Sequence, residues 1–113
     1  MNSLRCLEVA KLLIESGADL AKKTEKGNTA LHFACDEGAV DVVQLLIDAK
    51  ANVNAQNNTG HTPLMNSVEN LEVSKLVIES GADLAKKAEK GITALHLACV
   101  RGVIEVVQLL IDV

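Results

Sequence analysis

A short motif returns three times along these 113 residues, and its spacing constrains the fold more than any other feature. Gly27-Asn28-Thr29-Ala30-Leu31-His32 reappears as Gly60-His61-Thr62-Pro63-Leu64-Met65 and as Gly91-Ile92-Thr93-Ala94-Leu95-His96, at intervals of 33 and 31 residues. A second landmark, Leu7-Glu8-Val9, recurs at Val40-Asp41-Val42, Leu71-Glu72-Val73 and Ile104-Glu105-Val106. Periods of this length belong to solenoids, whose units are each too small to bury their own apolar face and must stack. A longer period lies above: residues 1–49 align without a gap on residues 65–113, with 35 of 49 positions identical. Two successive repeats therefore behave as one duplicated unit. Met1-Asn2-Ser3 copies Met65-Asn66-Ser67, which places Met1 inside a first helix, and Val113 aligns with Ala49 at the edge of a loop. The expectation is a slice of a longer array. It forms a single domain over 1–113, with a partial repeat at 1–26 and repeats at about 27–59, 60–90 and 91–113, the last lacking its loop.

The repeat predicts two helices per unit. Thr29 suits an N-cap, with Leu31, Ala34 and Cys35 following at helical spacing. In the middle repeat Thr62 takes that place and Pro63 fits the first helical position. Val42, Val43, Leu45, Leu46 and Ile47 form the broad apolar stripe of a second helix. Gly17 and Gly81 fall just past helices, as C-terminal caps do. Polar stretches such as Lys22-Lys23-Thr24-Glu25-Lys26 leave room for a projecting turn. Composition agrees. The chain is 49% hydrophobic but 1% Phe, Trp and Tyr, with Phe33 the single one of these, so Leu, Ala, Val and Ile supply the core. That argues against a β-sandwich, which favours aromatic and β-branched residues, and against a stacking platform for single-stranded nucleic acid. A net charge of −4 argues against a basic nucleic-acid binder. No apolar run approaches the ~18 residues of a membrane helix. Three cysteines without a paired motif read as reduced thiols in an intracellular, cytoplasmic setting.

Taken together, the chain resembles an ankyrin-repeat protein along its whole length. Thr29-Ala30-Leu31-His32-Phe33-Ala34 and Thr93-Ala94-Leu95-His96-Leu97-Ala98 are close to the family's TPLHxA motif, with Ala for Pro. Val42-Val43-Gln44-Leu45-Leu46-Ile47 and Gly81-Ala82-Asp83-Leu84 match its second helix and following loop. The resemblance implies an all-α solenoid of L-shaped helix pairs with projecting β-turn fingers, which binds proteins through its fingers and first helices. It also implies that His32 and His96 serve structure by bonding loop backbone. Departures cluster in the middle repeat. Met65 and Ser67 replace the His and Ala found at His32/Ala34 and His96/Ala98, and two residues are missing before Leu71, so the first helix or its turn must be shorter. Gly38 and Gly102 have no counterpart there. The family usually opens its finger with Asp; Thr24, Asn57 and Ala88 stand in that position, which predicts looser fingers.

The reactive residues offer no enzyme. The spacing of His32 and His96 rules out a shared metal, and His61 stands alone on a finger, where it suits a partner contact. Cys35 and Cys99 occupy small-residue helix positions and read as buried apolar thiols; Cys6 falls on a turn. No phosphate-binding, zinc-hydrolase or serine-nucleophile motif occurs, and every Gly is explained by a turn or cap. No cofactor and no metal are expected.

Charge is more informative. The two fingers 22–26 and 86–90 hold six of the 11 basic residues but two of the 15 acidic ones, so a +4 edge sits on a −8 body. Lys23, Glu25, Lys26, Lys87 and Lys90, with Asn58, Thr59 and His61 between them, form a candidate edge that steers an acidic protein segment. Divergence between the duplicated halves marks a second set: Asn28 against Ile92, Asp36 against Val100, Glu37 against Arg101. Ile92 and Val100, expected to be exposed, with Arg101 beside them, make a candidate hot spot. The expected function is a non-catalytic protein-protein interaction module. The alternatives are a spacer segment of a longer array, or a non-catalytic part of a multidomain protein. Open end faces near Leu4, Leu7 and Leu12, and near Val106, Leu109 and Leu110, predict end-to-end self-association, which light scattering would read as a mass rising with concentration.

Overall fold

The computed structural model describes residues 11–12, 14–17 and 19–112, and every regular element within them is helical. Lys11, Leu12, Ile14 and Glu15 are helical. Six α-helices follow: α1 Ala30–Glu37, α2 Val40–Asp48, α3 Pro63–Asn66, α4 Leu71–Glu79, α5 Ala94–Arg101 and α6 Ile104–Asp112. A short 3₁₀ turn, Glu89–Gly91, lies in the third finger. Helices α1, α3 and α5 pack side by side as an inner layer, each against its own outer helix, α2, α4 or α6. Leu4 and Leu7 lie outside the described residues.

Local sequence sets these elements. Thr29 and Thr93 cap α1 and α5, each hydroxyl accepting from the backbone N–H three residues on. Thr62 does the same for α3, with Pro63 at the first helical position as expected. Helices α1 and α5 end on left-handed Gly38 and Gly102, φ 71° and 70°. The middle repeat lacks that glycine, and α3 is cut to four residues. Asn70 replaces the glycine turn by capping α4, its Oδ1 accepting from Val73 N at 3.0 Å.

The core lies between the layers and between successive pairs. Leu31, Cys35, Val43, Leu46, Leu64, Met65, Val73, Val77, Ala98 and Val106 are buried. Close helix approach leaves room for these small and medium side chains, and the one Phe of the chain stays outside them. Two hydroxyls interrupt this apolar packing: Ser74 Oγ donates to the Ser67 carbonyl at 2.8 Å, and Ser67 Oγ donates to that of Leu64 at 2.8 Å. Both serines are fully bonded, so the burial costs little. They tie the first residue of the shortened turn to α4.

The open end differs from the expectation. Val106 and Leu110 are buried, and Leu109 is half-buried. The apolar side chains left in solvent there are Leu95, Ile104 and Ile111. They lie on the helix faces turned away from the preceding pair.

Candidate functional site

The fingers are held by a ladder of hydrogen bonds. The prediction of looser fingers is therefore corrected. Thr24 Oγ1 accepts from Asn28 N, and Asn57 Oδ1 accepts from the backbone of Thr59 and of His61, so a hydroxyl and an amide do the work of the usual Asp. Ala88 cannot. Its finger instead winds into the 3₁₀ turn with Lys90 left-handed at φ 64°, and Ala88 itself is buried. Between fingers, Asn58 N donates to the Lys26 carbonyl at 2.9 Å and Glu89 N to that of Thr59 at 3.0 Å. Asn58 Nδ2 reaches the Glu25 carbonyl, Gln56 Nε2 that of Lys87, and Lys23 Nζ that of Gln56. The approach is so close that a Cβ on Gly27 would lie 2.6 Å from Asn58 Oδ1, and one on Gly60 2.9 Å from the Ala88 backbone.

His32 joins this edge to the helices. It is buried completely, accepting from Thr29 N at its Nδ1 (3.0 Å) and donating from Nε2 to the His61 carbonyl (2.9 Å). The two bonds fix a neutral tautomer, with the proton on Nε2. Burial lowers its pKa below 6.5, against the raising influence of the His61 and Ala55 carbonyls. His96 repeats the bonds to Thr93 but stands exposed. Cys35 is buried and its thiol is pushed up to about 12 by burial, with Asp36 adding to the shift. Cys99, expected to be buried too, is exposed, because no further helix pair covers that face among the described residues.

Beneath the fingers, the inner helices line a groove of about 520 Å³. The repeat spacing arranges its lining in rows: Phe33, Asn66 and Leu97; Asp36 and Glu69; Glu37, Asn70 and Arg101. Asp36, Glu37, Glu69 and Arg101 all border it, with Asn28 and His61 on the finger side. Arg101 pairs with Glu69 across neighbouring repeats, both in solvent. Val100 is 82% exposed, as expected of a contact residue. Ile92 is not exposed as anticipated: it is half-buried against the core, because the 3₁₀ turn folds it back.

Several predicted edge residues are engaged internally. Asn28 Oδ1 accepts from Asn57 Nδ2, Asn58 bridges two fingers, Thr59 Oγ1 donates to Asn57 Oδ1, and His61 contacts Thr59. Lys26, Glu25, Lys87 and Lys90 keep exposed side chains. Asn54 binds the next loop through Gly81 and Asp83. The residue that sequence reasoning missed is Phe33. It is half-exposed on the groove floor, and Leu97 lies one superperiod away at the matching position. Its place three residues before Asp36, on the helix face opposite Leu31 and Cys35, was the available signal.

Stacked helix pairs with bonded turn fingers over an inner-helix groove define an ankyrin-repeat protein. The chain belongs to that family: ankyrin repeats (3 copies) match residues 2–88, and a further ankyrin repeat matches 90–113. It is 35% identical over 98 residues to human ankyrin repeat domain-containing protein 63, covering 81% of this chain and 26% of that protein. It is 34% identical over 110 residues to the mouse B-cell lymphoma 3 protein homolog (94% and 25%). It is 43% identical over 89 residues to the ankyrin repeat and KH domain-containing protein mask of Drosophila melanogaster (75% and 2%). The chain thus spans about a quarter or less of the length of these relatives. Among the described residues no helix is long and apolar enough to cross a membrane, and no group of three or more His, Cys, Asp or Glu is placed to hold a metal ion.

Proposed function

We propose that this chain is a non-catalytic protein-interaction module that binds its partner through the inner-helix groove and the finger edge. One observation carries the reading: the single aromatic side chain sits half-exposed on the groove floor, while the core is filled without it. A ring kept out of an apolar-rich core, in a concave surface, supplies the kind of anchor that dominates binding energy. The Lys26, Lys87 and Lys90 side chains at the finger tips steer acidic stretches of the partner towards that groove. The free thiols Cys35 and Cys99 fit a reducing, intracellular setting.

The test is a selection of displayed random peptides on the wild-type chain, followed by affinity measurements on three variants. Phe33→Ser/Val100→Asp should lose binding, whereas Lys75→Glu on outer helix α4 should retain it. Reversal of Lys26, Lys87 and Lys90 to Glu should slow association and flatten its salt dependence. Peptides that bind the Phe33→Ser/Val100→Asp and Lys75→Glu variants equally well would contradict the reading.

A further inference from the structure

We infer that the groove takes a partner segment in which a lysine or arginine lies next to a large apolar side chain. This rests on the reading of the groove as the binding surface and specifies the occupant. Phe33 and Leu97 provide two apolar seats on α1 and α5, with Asn66 of α3 at the equivalent position between them. Three residues along, the matching positions carry Asp36 on α1, Glu69 in the turn after α3 and Val100 on α5. Residues three apart on a helix share a face, so Asp36 flanks Phe33 and Val100 flanks Leu97. An apolar side chain resting on Phe33 therefore places its neighbour beside Asp36.

The charges select the sign of that neighbour. Asp36 and Glu69 are both exposed at the groove, and among the described residues the one cation of that lining, Arg101, is held by Glu69. That surface pair is weak and exchangeable in water. A partner cation between Asp36 and Glu69 meets two carboxylates, whereas an acidic side chain meets like charge at both. The lysines lie on the finger tips, beyond the Asn28 and His61 border of the groove. The surface is therefore bipartite, with acid in the groove and base at the rim. The complementary segment carries its basic residue inward and its acidic residues towards the tips.

The probe is a set of synthetic twelve-residue peptides on a Gly-Ser background. One carries Arg-Leu at the centre, one Glu-Leu, one Leu alone and one Arg alone, each with and without a flanking Asp pair. Arg-Leu should bind at least tenfold more tightly than Glu-Leu, and Asp36→Lys should invert that order. Phe33→Ser should weaken Arg-Leu by about tenfold, and Phe33→Leu, which copies Leu97, should keep most of the affinity. Both Phe33 variants are at an exposed position, and thermal melting confirms their fold. Glu-Leu binding as well as Arg-Leu, in a manner that still depends on Phe33, would overturn the basic preference while leaving the groove as the binding surface. Binding of any peptide that ignores Phe33 and Asp36 alike would overturn both.

Discussion

Helices α1 and α5 share five of eight residues, and α2 and α6 share seven of nine. Their local structures are the same: a threonine capping box closed by histidine at one end, a left-handed glycine at the other. Their surroundings are not. Leu31, His32 and Cys35 are buried under Leu64 and Met65 of the next repeat, whereas Leu95, His96 and Cys99 are exposed. Local sequence decides the element and its ends; the neighbouring repeat decides which side chains leave water. That division is the physical content of a one-dimensional stack.

Equal substitutions in the two repeats should therefore have unequal effects. Leu31→Ala removes a side chain packed on every side and should cost about 2–5 kcal/mol of unfolding free energy. Leu95→Ala should cost under about 1.5 kcal/mol. Urea unfolding of both variants reads the difference, and equal losses would break the comparison.

A smaller effect concerns pH. Because burial lowers the folded-state pKa of His32, the unfolded chain takes up the proton first as pH falls through 6.5. Its contribution to stability is complete above that pH and declines below it, towards the lower folded value. His32→Gln should remove this part of the decline below about pH 6.5, at a cost in stability from the lost loop bond to His61. An unchanged slope would show that the imidazole titrates freely in the folded chain.

Much of this was legible in the sequence. The repeat spacing gave the helix pairs, the threonine caps and a shortening of either the first helix or its turn in the middle repeat, because backbone geometry is a local matter. The structural role of His32 was legible through the family motif. What was not legible depended on tertiary neighbours. Thr24 and Asn57 keep their fingers tight through side-chain oxygens, which a comparison with Asp alone obscured. Cys99 and Ile92 were assigned to the wrong environment, since identical or apolar residues acquire burial from what stacks on them. Phe33 was passed over as a site residue, although its position opposite Leu31 pointed outwards. The charge asymmetry was visible as a basic edge on an acidic body, yet sequence alone did not show that Asp36 and Glu69 share one groove.

The thiols provide the most direct test that stacking, and not local sequence, sets these environments. Cys35 and Cys99 occupy the same position in Leu-His-Phe-Ala-Cys and Leu-His-Leu-Ala-Cys. In a Cys6→Ser background, the alkylation rate of each is measured at pH 8 under native conditions by peptide mass. Cys99 should react readily, and Cys35, buried with its thiol pushed up to about 12, should react at least about a hundredfold more slowly. Equal native rates for the two would contradict the account, because they would mean that the second repeat does not cover the first.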